Sequence, residues 1–495
     1  MGHRNVATVL AVSLAGLCAC APGTPAPQSP RARGPRAMHY RFALDPKLET
    51  LTAQLCFEGP APSRLVCGVD WGKPLLMSAR QTTSDGQGIG GGLPGDGALD
   101  LSALGDDACL EYEVDLAATA PSFGPARTRR SGGAVVTNLS SWLWRPPGWR
   151  SVPRVSARFA LPEGVEVSLP WPEEDGVYQL DATAFAYLGY AVFGRFQRER
   201  FRVPGAEIEV AVLDGLPDSL HAAIRPWLET AARMATQPAG RFPHERAQIV
   251  VIPSGPRDAP VGFGHATRSG GPSVAIFLPT NSELERMKPD WVAVHELSHF
   301  LHPFVQRGDA WLSEGLATYY QEVLRVRAGL HSPDDAFRRL WQGAERGREA
   351  SGSLSDESRQ MYSKFNFPMV YWAGAAFALM ADVELRKRSR GPRSLDEVLA
   401  ELSSCCTRGD RPWPARKVLE RMDEIVGEPL LSRLAERWVE GPTMPDLSEV
   451  YRKLGIRVDD GGQVHYDGAP DAIVRDAIMG VDKQLAREIE KLGAI

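Results

Sequence analysis

Between His39 and Val203 apolar and polar residues alternate. HYRFAL (39–44), LTAQLCFEG (51–59), EYEVDLA (111–117), VSARFAL (155–161) and VEVSLPW (165–171) all follow this rhythm, and Gly, Pro and Asp separate them. A period of two is the mark of strands with one buried face, so 38–203 is read as an all-β domain of sandwich-like type. After Pro204 the rhythm changes. AEIEVAVL (206–213) and AQIVVIP (247–253) read as strands, and VGFGHATRSGGPSVAIFLP (261–279) as two more around a turn at Gly270-Gly271. PDSLHAAIRPWLETAARMA (217–235) has helical spacing, with Pro217 at its start and a kink expected at Pro226. Further helices are expected after Pro289, from about Ala310, near Pro333 and around Tyr371, and Ser394-x-x-Glu397 opens another as a capping box. This gives an α+β multidomain chain: a catalytic domain over 204–410 and a C-terminal helical region over 411–495. In that last region DDGGQVHYDG (459–468) reads as a hairpin and the remainder as a terminal helix.

Composition adds little to this picture. The 495 residues are 43% hydrophobic and 24% charged with a net charge of −5, so no global positive field points to nucleic acid. Arg127, Arg129 and Arg130 form a local basic cluster, read as a solvated loop. Gly86-x-Gly88-x-x-Gly91 has neither the strand nor the helix that a nucleotide site needs, and is read as a loop.

The N-terminus changes the picture more. Residues 1–20 join His3 and Arg4 to an apolar stretch, Val6–Leu17, too short to span a membrane and read as an export signal. It ends in Leu17-Cys18-Ala19-Cys20, which resembles a bacterial lipobox with Cys20 as the lipidated residue. Residues 21–37, rich in proline, are then a linker between the membrane and the folded body, and the outer membrane is favoured because Ala rather than Asp follows Cys20. Export places the other cysteines in an oxidising compartment. Cys56 and Cys67 lie close in sequence in what reads as a hairpin and are the expected bridge, whereas bonding adjacent Cys405 and Cys406 would be strained.

The chemistry sits in HELSHFLHPFVQRGDAWLSEGLATYY, residues 295–320. A helix turns about 100° per residue, so His295 and His299 share one face and can meet one ion. Glu296 falls beside the metal rather than on it, as a base for water requires. A zinc ion needs a third protein ligand and an open position, and Glu314 is the candidate, with Pro303 and Gly308 allowing the chain to return. His302 is read as flanking the site or facing solvent.

This stretch resembles the gluzincin class of zinc peptidases, which carry H-E-x-x-H on one helix and a glutamate ligand on the next. VYWAGAAFALMADVELRKRS (370–389) is similar to the tyrosine helix of the glycyl aminopeptidase family. LWRP (143–146), FALPEGVEVSLPW (159–171), YLGYAVFGRF (187–196) and the tail 430–456 also resemble that family. The resemblance implies a thermolysin-like catalytic domain with one zinc ion held by His295, His299 and Glu314. It implies Glu296 as general base, Tyr371 as hydrogen-bond donor to an oxyanion, and a peptide or protein as substrate.

The chain departs from the family in three ways. The gap between His299 and Glu314 is short. Family members often end in a PDZ-type module, whereas only about forty residues follow Gly455. The family's G-G-L-E-H-like strand edge, whose glutamate receives a free amino terminus, corresponds to Gly262-Phe263-Gly264-His265. Gly262, Gly264 and His265 are therefore taken as substrate-binding, and Gly264 removes a carboxylate partner for an ammonium group. This leaves aminopeptidase and endopeptidase action both open. The alternative from another class is a cell-envelope binding protein that keeps the fold without the chemistry.

Overall fold

The computed structural model describes residues 34–492 apart from 67–75, 83–87, 90–97, 118–127, 181–188, 269, 348–351, 390–392 and 410. The signal and Cys20, most of the linker, Cys67, Arg127 and most of the Gly86–Gly91 run lie outside the described residues.

The alternating segments form sheets. Ala37–Leu44 pairs antiparallel with Thr50–Glu58 and parallel with Arg154–Ala160 inside an eight-stranded sheet. Along Thr50–Glu58 every second residue is buried, as the period of two requires. Its core is aromatic: Trp142, Trp144, Trp171, Tyr40 and Phe42 are all buried. The buried hydroxyls find partners, Tyr40 donating to the Trp144 carbonyl at 2.6 Å and Tyr112 to that of Trp142 at 3.0 Å.

A second, four-stranded sheet contains Ala134–Asn138 and Tyr190–Gly194, and every residue of these two strands is buried. The reason is that it is covered on both faces. Val135, Ala191 and Phe193 enter the aromatic core. Ala134, Val136, Tyr190 and Val192 pack instead on Ala211, Val250, Ala275 and Phe277 of the catalytic domain. Strand alternation thus welds the two domains through one layer. Arg129 and Arg130 are not in a solvated loop. They lie in the strand Arg129–Ser131 of this sheet, and Arg129 donates to the Pro253 carbonyl across the junction at 3.2 Å.

The catalytic sheet has five strands in the order Gln197–Val203, Ala206–Val212, Arg246–Ser254, Ser273–Pro279, Phe263–Thr267. Its first hairpin straddles residue 203, so the strand 197–203, which the sequence pattern leaves with the β domain, belongs to this sheet; Phe201 and Val203 pack in its core. Phe263–Thr267 is an edge strand, antiparallel to Ser273–Pro279. Helix Asp218–Thr236 runs unbroken through Pro226, and the terminal helix is two, Ala472–Ile478 and Lys483–Lys491. Residues from Ala415 to Ile489 share the hydrophobic core of this five-stranded sheet and its helices.

Two disulfides differ from the sequence expectation. Cys56 bonds Cys109, its direct cross-strand partner, rather than Cys67, and Cys405 bonds Cys406. Two residues facing each other on adjacent strands lie within disulfide reach.

Two helices carry the framework of the site: Ala310–Arg327, here the glutamate helix, and Phe367–Arg388, the tyrosine helix. They cross backbone to backbone. A Cβ at Gly374 would lie 2.1 Å from the Trp311 carbonyl oxygen, and one at Gly315 would lie 2.4 Å from the Gly374 carbonyl carbon. Further along, buried Asp382 accepts from the Tyr319 hydroxyl at 2.8 Å, from Arg386 at 3.0 Å and from the Leu395 amide at 2.8 Å. Trp372, next to Tyr371, packs over Gly343 of helix Pro333–Gly347, where a Cβ would meet it at 2.5 Å.

Gly374→Ala inserts a methyl group into that crossing. It is expected to lower unfolding stability by about 1–3 kcal/mol, measured by urea unfolding; an unchanged midpoint would contradict the close crossing.

Candidate zinc centre

The short motif helix Val292–Ser298 begins with Asp290 accepting from the Val292 amide at 2.8 Å and tightens into a 3-10 turn, His299–Leu301. It ends where Pro303 biases His302 to an extended backbone. Val294, Leu297 and Leu301 are fully buried and seat it on the sheet. His295 and His299 therefore point together at Glu314, from the first turns of the glutamate helix.

Three donor atoms converge. His295 Nε2 lies 3.3 Å and His299 Nε2 3.5 Å from the same Glu314 oxygen, Oε2. Ligands about 2.1 Å from a tetrahedral zinc stand about 3.4 Å apart, so the spacing fits such an ion. The tautomers fit as well. His295 Nδ1 is 2.8 Å from Gln321 Oε1 and His299 Nδ1 is 3.2 Å from Ser313 Oγ, which leaves both Nε2 atoms for a metal. Gln321 is itself oriented, since its amide nitrogen donates to Glu322 Oε1 at 3.0 Å. Burial alone would raise the Glu314 pKa, but His299 and His295 outweigh it and hold the carboxyl far below the usual range. Among the described residues this is the single His/Cys/Asp/Glu group with metal-binding spacing.

Glu296 lies beside this group and is not part of it. Its Oε2 accepts from the Ala266 amide of the edge strand at 2.7 Å. Tyr371, one turn before the Gly374 crossing, stacks on His295 with ring centres 6.0 Å apart, and its hydroxyl reaches the Glu314 carboxylate. Burial, and then Glu314, push its pKa well up, so the phenol is a proton-bearing donor at any working pH.

The edge strand brings the remaining candidates. Gly264 backs directly on the base: a Cβ there would stand 2.4 Å from Glu296 Cγ and 2.8 Å from Val292 Cγ1. No side chain fits, so a carboxylate at 264 is excluded by the placement of Glu296 itself. Because the Ala266 amide points off the sheet, the alternation of an antiparallel pair turns the Gly264 amide and carbonyl to the free edge too. Gly262 serves differently from the sequence expectation: its amide is consumed by the Phe277 carbonyl at 2.9 Å, closing the strand. His265 Nδ1 pairs with the Tyr190 hydroxyl at 2.8 Å. Tyr190 comes from the β domain and carries no local signal in the sequence. His302 flanks the site, its ring edge-on to that of His299 at 5.9 Å, but it is fully buried rather than solvent-facing, and it holds Arg268. Phe263, Trp291 and Tyr362 remain over a third exposed, at 41%, 38% and 44%. Trp291 meets His295 edge-on at 5.4 Å, and the charge of Glu314 is felt at Tyr362. They give the site an aromatic rim. A groove of about 550 Å³ elsewhere, between the tyrosine helix and the C-terminal helices, holds none of these residues.

Residues 285–374 match the sequence model of the M61 glycyl aminopeptidase family. Sequence comparison with curated proteins finds no match. The fold is similar to that of an aminopeptidase N family protein from Idiomarina loihiensis, with a TM-score of 0.65 and 15% identity over 86% of this chain and 80% of that one. It is also similar to an M1 zinc metallopeptidase from Deinococcus radiodurans, with a TM-score of 0.53 and 16% identity over 84% of this chain and 95% of that one. A mutant of the latter, solved with a Tyr-Ser-Ala substrate, has a TM-score of 0.52 at 16% identity, covering 84% and 95%. The family match over residues 285–374 and the donor spacing point to a zinc peptidase, and the structural likeness at 15–16% identity bears on the fold.

Purified protein is expected to hold one zinc by elemental analysis. Gln321→Ala should weaken zinc affinity by about 10–100-fold in competition with a chelator, because it frees the His295 ring; unchanged affinity would mean that Gln321 does not orient the ligand.

Proposed function

We propose that the protein hydrolyses peptide bonds, with Glu296 as general base and Tyr371 as oxyanion donor. The observation that carries this reading is one three-donor centre with Glu296 held beside it by the Ala266 amide and Tyr371 stacked on its His295. Bound at His295, His299 and Glu314, zinc would supply Lewis acidity to the scissile carbonyl and to water. Glu296, whose other oxygen is steadied by the Ala266 amide, takes a proton from the attacking water and passes it to the leaving amine. The Tyr371 hydroxyl turns from Glu314 to the oxygen on which charge develops. A substrate backbone adds to the free edge at Gly264, as an extended peptide adds to a sheet. The aromatic rim supplies apolar contact.

Gly264 supports cleavage that does not depend on a free amino terminus. Endopeptidase action is favoured on this ground, since Glu296 fills the place where an ammonium-binding carboxylate would stand. Lipidation of Cys20 would tether the domain outside the cytoplasm, with the outer membrane as the favoured site; the lipobox-like Leu17–Cys20 supports this. The alternative, a binding protein without chemistry, is disfavoured by the donor spacing and the buried, correctly oriented base.

Glu296→Gln should keep its zinc and lose at least about 1,000-fold in kcat on a blocked-terminus peptide library, and Tyr371→Phe about 100-fold with KM nearly constant. Equal cleavage by wild type and Glu296→Gln would sink the mechanism. Cleavage confined to peptides with free amino termini would overturn the endopeptidase reading. Labelled palmitate should enter the wild type and not Cys20→Ser; labelling of both would remove Cys20 as the anchor.

A further inference from the structure

Four arginines of the described chain are buried: Arg268, Arg325, Arg327 and Arg386. Three of them meet a carboxylate. Arg325 pairs with Glu322 at 2.7 Å, Arg327 with Asp396 at 2.9 Å and Arg386 with Asp382 at 3.0 Å. Arg268 meets none among the described residues. It stands one residue past the edge strand Phe263–Thr267 and is 9% exposed. Its Nε is buried without a hydrogen-bond partner. Its Nη2 lies 3.4 Å from His302 Nε2, and its guanidinium sits 6.0 Å from the Phe304 ring centre.

His302 cannot neutralise it. His302 Nδ1 donates to the Pro303 carbonyl at 2.8 Å, so Nε2 offers only a lone pair. The ring therefore aims the guanidinium without supplying charge. Burial pulls the Arg268 pKa down to about 9, and the fields of Glu314 and Glu296 offset only part of this. His302 in turn meets the ligand His299 edge-on, with ring centres 5.9 Å apart, so Arg268 stands beside the donor centre where a substrate would be held. A buried guanidinium with free donors is costly unless an anion completes it, and carboxylates suit its planar fork.

We propose that Arg268 is a specificity residue that receives a carboxylate of the bound peptide. The inference rests on the peptidase reading and names its substrate class: acidic peptides. The edge strand carries Gly264, where no carboxylate can stand, and Arg268 follows one residue past its end, so this edge offers its peptide a cation rather than an anion. The carboxylate is either an acidic side chain or a free C-terminus.

The test uses the full zinc-loaded protein and matched peptides. One set is blocked at both ends and carries Glu or Gln at each of the two positions on either side of the scissile bond. A second set differs only in a C-terminal acid or amide. In the wild type, one position or the terminus should favour the acid by about tenfold or more in kcat/KM, mainly through KM. The preference should fall toward unity in Arg268→Met and survive in part in Arg268→Lys. The Glu/Gln arm and the acid/amide arm distinguish the two sources. Absence of any acid preference in the wild type, or its survival in Arg268→Met, overturns the proposal. If Arg268→Met does not fold, the wild-type ratios and those of Arg268→Lys decide alone, and an undiminished preference in Arg268→Lys overturns it. Cleavage that depends on Glu296 but ignores charge defeats only this inference, whereas no such cleavage of any peptide defeats the peptidase reading itself.

Discussion

The site depends on two helices that touch without side chains between them. At Gly315 and Gly374 the glutamate and tyrosine helices approach until an added Cβ would stand 2.1–2.5 Å from backbone atoms. Each glycine lies within a turn of a functional group, Glu314 immediately before Gly315 and Tyr371 three before Gly374. The crossing therefore brings Glu314 and Tyr371 to the same place. Asp382 extends the constraint by gathering Tyr319, Arg386 and the start of helix Leu395–Cys406 into one buried cluster. Rigid elements joined in this way hold reactive groups more closely than loops do.

The opposite wall obeys a second close approach. Gly264 lets the edge strand lie against Glu296, and the Ala266 amide then fixes one oxygen of the base. A single glycine both makes room for the Glu296 carboxylate and removes the space where another would sit. Behind it Tyr190 reaches from the second sheet to His265, so the β domain supports the site as well as covering the catalytic sheet.

What could be read from the chain was what helical spacing carries. The four-residue step from His295 to His299, the base between them and Glu314 on a following helix are local patterns, and the structure brings them to 3.3 and 3.5 Å contacts. Tyr371 was legible through resemblance and not through spacing. The strand rhythm gave the β domain but not where the second sheet lies, because a fully buried strand such as Tyr190–Gly194 follows from what covers it. Cys56–Cys109, His302 with Arg268, and Tyr190 with His265 join residues 53, 34 and 75 apart. No local period encodes such pairs; they appear once the sheets are stacked. Gln321 was within reach, since it lies seven residues, about two helical turns, past Glu314 and so on the same face.

The central claim is that His295, His299 and Glu314 form one zinc site. Anomalous diffraction at the zinc absorption edge, on crystals of protein purified without added metal, tests it directly. One peak is predicted about 2.0–2.2 Å from His295 Nε2, His299 Nε2 and a Glu314 oxygen. A peak at His302, or zinc bound without Glu314, would contradict it.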